Sequence, residues 1–135
     1  MRRVLVLVAV MVGCANPGEP SVTLDLADPA MRQMYPLSGV EWSATHYSEW
    51  WANMEECSGL TGNLADLRWF TFNDESVTWF WSPSGRPAGG TYLHGERAII
   101  LVPVKITNQH SVEHEMLHAL LGVPGHPPVF RQCEV

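Results

Sequence analysis

Residues 109–122 read QHSVEHEMLHALLG and constrain the chain more than any other stretch. Asn108 or Ser111 stands where a side-chain cap accepts the first free N–H groups of a helix. Gly122 stands where a left-handed closing residue is needed. Between these signals Val112, Met116, Ala119 and Leu120 fall on one face at helical spacing. The segment is therefore a helix with an apolar side that has to lie on another layer. His114 and His118 are four residues apart, so their imidazoles leave the helix one above the other.

The rest of the chain supplies that layer. Tyr47, Trp50, Trp51 and Met54 recur at i, i+3, i+4 and i+7, which predicts a helix over residues 43–57 with its aromatic stripe turned to the core. Ser43 or Thr45 is placed to cap it and Gly59 to end it. Residues 67–72 and 77–81 are rich in β-formers and flank Asn73-Asp74-Glu75-Ser76, a hairpin signal. Residues 82–90 (SPSGRPAGG) read as a loop. Two further strands, 91–94 and 98–102, surround Gly95-Glu96, and the continuous apolar run of the second predicts cover on both faces. A chain of 135 residues, 46% of them apolar, fits one domain. The predicted class is α+β: an N-terminal helix, a four-stranded mostly antiparallel sheet, then the histidine-bearing helix.

The first residues have a different character. Met1-Arg2-Arg3 is basic, residues 4–12 (VLVLVAVMV) are apolar, and Met11-Val12-Gly13-Cys14 follows. The apolar run is too short for a membrane-spanning helix and suits a signal peptide. Its end resembles the lipobox of bacterial lipoproteins. That resemblance implies a signal peptide of residues 1–13, cleavage before Cys14, and lipid on Cys14. It also implies a flexible tether over 14–35, a folded domain over 36–135 and, with no Asp after Cys14, the outer membrane as destination. In such an oxidising compartment Cys57 and Cys133 are expected to form a disulfide, worth about 4 kcal/mol in the chain-entropy model. Lys and Arg number 8 against 14 Asp and Glu, a formal charge of −6. Cleavage would also remove Arg2 and Arg3, so nucleic acid is not an expected partner.

His114-Glu115-Met116-Leu117-His118 is an HExxH pattern. Two imidazoles one turn apart converge on a tetrahedral Zn²⁺, and Glu115, beside that face, reaches a zinc-bound water and takes its proton. The same carboxyl can return the proton to a leaving amine. A catalytic zinc site needs a third protein ligand. His126 is the leading candidate because Gly122 and Val123-Pro124-Gly125 permit a reversal toward the helix. Glu134, His94 and His110 are the alternatives.

The segment HEMLHALLGVPGH is similar to the active-site helix and third-ligand turn of zincin metallopeptidases. Its spacing differs from the metzincin pattern, with Gly122 one position and His126 two positions late. Together with the leader, the chain resembles small bacterial lipoproteins with a zincin-type core. The resemblance implies a zincin-like minimal domain with His114, His118 and His126 on Zn²⁺ and Glu115 as general base. It implies hydrolysis of peptide bonds in the cell envelope, with a peptide or protein as substrate. An edge strand, 91–94 or 98–102, would pair with extended substrate backbone. Tyr92, His94 and Tyr47 are candidate donors to the charge of a tetrahedral intermediate. The alternative is a non-catalytic, zinc-stabilised envelope lipoprotein acting as a binding or structural module.

Overall fold

A four-stranded sheet carries helices on one face and a small β-ribbon on the other. The computed structural model describes residues 37–41 and 46–135. The expected signal peptide over 1–13, Cys14, the expected tether over 14–35 and the cap candidates Ser43 and Thr45 lie outside the described residues. The elements are β1 (Leu37–Gly39), α1 (Tyr47–Ser58), β2 (Arg68–Phe72), β3 (Phe80–Trp81) and β4 (Pro87–Ala88). Then follow β5 (Gly90–Leu93), β6 (Ala98–Leu101), α2 (Gln109–Leu121) and α3 (Val129–Gln132). Among the described residues no helix is long and apolar enough to cross a membrane.

The sheet order is β1-β2-β6-β5. β1–β2 and β5–β6 are antiparallel, whereas β2 and β6 at the centre are parallel, with Trp69 opposite Ile99. Two of the three pairings are antiparallel, in keeping with a mostly antiparallel sheet, and the parallel central one makes the sheet mixed. The expected hairpin between residues 67–72 and 77–81 does not form. Only Phe80 and Trp81 of the second run are strand, and they pair with Pro87 and Ala88 in a separate ribbon. The reason is the demand of β6. Ala98, Ile99, Ile100 and Leu101 are all fully buried, so this strand has to be covered on both faces. The ribbon lies over the back face, where Phe72, Phe80, Ile100 and Val102 form one cluster and the Phe72 and Phe80 rings sit 5.3 Å apart.

The front face holds the larger core. Tyr47, Trp50, Trp51 and Met54 of α1 pack with Trp69, Ile99 and Leu101 of the sheet and Val112, Met116 and Leu117 of α2. The aromatic stripe of α1 is therefore core, as its periodicity predicts. Gly59 closes α1 in the left-handed region, φ +70°, and donates to the Glu55 carbonyl. Of the two cap candidates on α2, Asn108 accepts from the Ser111 N–H at 2.9 Å. Gly122 ends this helix with φ +65° and donates to the His118 carbonyl at 2.9 Å. Glu113 links the two helices by accepting from Asn53 and Gln109. The Cys57–Cys133 disulfide ties the last turn of α1 to the end of α3 across 76 residues.

Candidate metal centre

His114 and His118 leave α2 on the side that faces a cleft, and the chain returns past Gly122 to bring His126 to them. Ring centroids are 4.9–5.0 Å apart for all three pairs. Among the described residues this trio is the only group of three or more His, Cys, Asp or Glu whose donor atoms converge, all within 4.8 Å of one another. His94, His110 and Glu134 are not part of it, so His126 is the residue that the fold brings to the pair. The Nε2 atoms of His126 and His114 are 3.0 Å apart.

Three local features set this geometry. The left-handed Gly122 lets the chain leave α2 sharply, and Val123 then turns its carbonyl to the His118 ring, 3.0 Å from Nδ1. Nδ1–H donates to that carbonyl, which leaves the Nε2 lone pair free to face the other two rings. Phe130 of α3 underlies the trio, with its ring 4.6–5.0 Å from each imidazole, and is itself only 3% exposed. The disulfide at Cys133, three residues further on, fastens that floor to α1.

The donor set fits a metal ion. Nitrogens bound tetrahedrally at about 2.0–2.1 Å stand about 3.3 Å apart. The trio spans 3.0 Å to 4.8 Å, so small rotations of the rings bring it to that spacing. The protonation state fits as well. Burial, helped by His118, His126, His110 and Lys105, pushes His114 down to about 4. Burial also lowers His118, against the opposing pull of the Val123 carbonyl. Neutral imidazoles are the ligand form.

Glu115 lines the same cleft, of roughly 360 Å³. It is 6% exposed, and burial pushes its carboxyl up to about 8, although the Lys105 ammonium and the Tyr92 backbone N–H act the other way. Space for it comes from Gly90, the first residue of β5. A Cβ there would lie 2.6 Å from Leu101 Cδ2 and 2.8 Å from Glu115 Oε1. Reading residues 82–90 as a loop missed this glycine. The signal available was a paired glycine just before an alternating strand, a mark of close approach.

β5 is the sheet's outer strand on this side and packs against α2, so the 91–94 expectation for an edge beside the cleft holds, while 98–102 is central. A second cavity of roughly 300 Å³ continues along β5 past Tyr92, Leu93, His94, His118, Val123 and Pro124. Tyr92 and His94 therefore remain within reach of a bound molecule. Tyr47 does not: it is fully buried and its hydroxyl donates to the Ile106 carbonyl at 2.7 Å. No family model, curated protein or solved structure matches the chain.

Proposed function

We propose that the protein is a zinc-dependent metallopeptidase of the cell envelope, with a zincin-like minimal domain held to the outer membrane by lipid on Cys14. The observation that carries this reading is a buried carboxylate, Glu115, in one cleft with three converging imidazoles and beside β5, the outer strand of the sheet. A structural zinc site needs the imidazoles but has no use for a buried acid next to them, and burying such an acid costs stability.

His114, His118 and His126 would hold the ion. When bound, zinc supplies Lewis acidity: it polarises an amide carbonyl, makes water acidic near neutral pH, and favours the ionised form of a nearby carboxyl. Glu115 accepts the proton of the attacking water on its carboxylate and later delivers it to the leaving amine. The edge of β5 holds an extended backbone by strand addition. Tyr92 or His94 donates to the oxygen that gains charge.

The test is zinc content and peptide hydrolysis of purified wild type and Glu115→Gln. The expected result is about one zinc per chain in both, with hydrolysis lost by at least 100-fold in the variant. Full hydrolysis by Glu115→Gln with its zinc retained excludes the general base assigned here. Incorporation of labelled palmitate, expected in wild type and absent in Cys14→Ser, tests the anchor.

A further inference from the structure

The chain is acidic overall, with a formal charge of −6, yet its cleft is not. Glu115 is the one carboxylate among the described residues that line the main cavity, whereas Arg86, Lys105 and His110 all line it. Arg68 pairs with Glu96 and Arg97 with Asp66, each on the exposed surface. Arg86 and Lys105 take part in no ion pair among the described residues. The Lys105 ammonium faces Glu115 across the cleft, but with Arg86 and one carboxylate the lining still carries an excess of cations in a protein that otherwise carries excess negative charge.

Both are positioned by the fold. Arg86 closes a tight turn in which the buried Ser82 donates to the Arg86 carbonyl through its N–H, 2.9 Å, and its hydroxyl, 3.0 Å. Gly85, at φ +72°, allows that turn and donates to the Ser82 carbonyl. The stem of Lys105 lies against Gly89, where a Cβ would come within 2.7 Å of Cε and of Nζ. Successive glycines thus make room for two cleft side chains, Gly89 for Lys105 and Gly90 for Glu115. The first turn of α2, with His110 and Ser111, lines the same cleft and adds the positive end of a 13-residue helix dipole. The opposite arm, beyond His118, is the more apolar one, lined by Leu93, Val123 and Pro124. Ser84, Thr91, His118 and Pro124 border both arms, so the two meet beside His118.

We propose that Arg86, Lys105 and His110 form an anion subsite that takes a carboxylate of the substrate, with an apolar residue seated on the other side of the histidine trio. This rests on the reading of the cleft as a peptide site. The carboxylate comes from an acidic side chain or from a free chain terminus; guanidinium and ammonium bind both alike.

The experiment measures binding of short peptides to the zinc-loaded Glu115→Gln protein by calorimetry, and cleavage of the same peptides by zinc-loaded wild type. The peptides are C-terminally amidated and differ only by Glu, Gln or Lys at one position. One further Gln peptide keeps its free carboxyl terminus. The expected result is about tenfold tighter binding of the Glu peptide or the free-terminus peptide over the amidated Gln peptide, an advantage that shrinks with added salt. Which of the two gains identifies the source of the carboxylate. Arg86→Glu, at an exposed position, is expected to turn the preference toward Lys, and Lys105→Gln to cut the Glu-to-Gln ratio severalfold. Equal affinity for all peptides, no binding at all, or a preference that survives both substitutions overturns the subsite. Charge-selective binding without cleavage by wild type sustains the subsite and removes the peptidase reading; cleavage indifferent to charge does the reverse.

Discussion

Gly90→Ala puts the smallest possible change at the point where the sheet edge meets the buried carboxylate. The added Cβ would stand 2.6 Å from Leu101 Cδ2 and 2.8 Å from Glu115 Oε1. Carbon contacts settle at about 3.5–4.0 Å, so roughly 1 Å of movement has to come from somewhere. Leu101 is fully buried in the central strand and has little freedom to give. The carboxylate is the softer neighbour, and it shifts. Overfilling a packed site costs about 1–3 kcal/mol. For a domain of this size that lowers the melting temperature by roughly 5–20 °C. Displacing a reacting group by about 1 Å costs on the order of 100-fold in rate. Gly95→Ala is the control, because nothing lies within 4 Å of a Cβ there. Calorimetric melting, zinc content and kcat/KM on a cleaved peptide are measured for both variants. Gly90→Ala is expected to bind zinc as wild type does, melt lower and turn over about 100-fold more slowly, while Gly95→Ala matches wild type. Wild-type turnover in Gly90→Ala would refute the reasoning, since it would mean that Glu115 does not need its observed position.

The remaining expectations concern the metal-binding frame. Phe130→Ala removes the ring beneath all three imidazoles and should cost about 3–5 kcal/mol, with zinc affinity down roughly 10- to 100-fold in competition with a chelating dye. Cys57→Ser with Cys133→Ser should lower unfolding free energy in urea by about 4 kcal/mol and weaken zinc binding, because α3 loses its tie to α1. His126→Ala should abolish stoichiometric zinc while leaving the fold measurable by circular dichroism. In the metal-free protein the Glu115 proton is held to about 8 against an ordinary 4.5, so the folded state binds the extra proton and stability falls as pH rises through that window. His114, moved from 6.5 to about 4, acts oppositely: its contribution is lost as pH falls from 6.5 toward 4. Metal-free melting temperature should therefore decline from pH 6.5 to 8, and Glu115→Gln should remove that decline.

What could be read from the residues was what depends on near neighbours. The i, i+4 histidines, the Asn108 cap, the Gly122 stop and the aromatic stripe of α1 are all local patterns, and the structure keeps each of them. The Pro-Gly reversal that brings His126 back is local too. Partner choice between strands is not. Residues 77–81 have the β-forming composition of a sheet strand, but only Phe80 and Trp81 pair, and with Pro87 and Ala88. The continuous apolar run of β6 predicts cover on both faces; it does not say that the cover is a folded-over ribbon or that β2 runs parallel to it. Tyr47 shows the same limit from the other side: its place on the helical stripe is legible, while the Ile106 carbonyl that engages its hydroxyl lies 59 residues away.

The least legible residues are the ones that make space. A glycine pair in a Pro- and Ser-rich stretch reads as a turn, because sequence records what a residue can do with its backbone and not what presses against it. Here neither Gly89 nor Gly90 adopts a left-handed conformation. Each gives room to a side chain that arrives from elsewhere, Lys105 from the turn after β6 and Glu115 from α2. The histidine trio has the same construction. Its floor, Phe130, belongs to a four-residue helix that has little stability of its own. That helix is held by a disulfide whose other end lies in the last turn of α1. A metal ion bound by the trio would join α2 to the turn carrying His126, and the disulfide joins α3 to α1. The two links act on opposite sides of Phe130, so losing either should loosen the other.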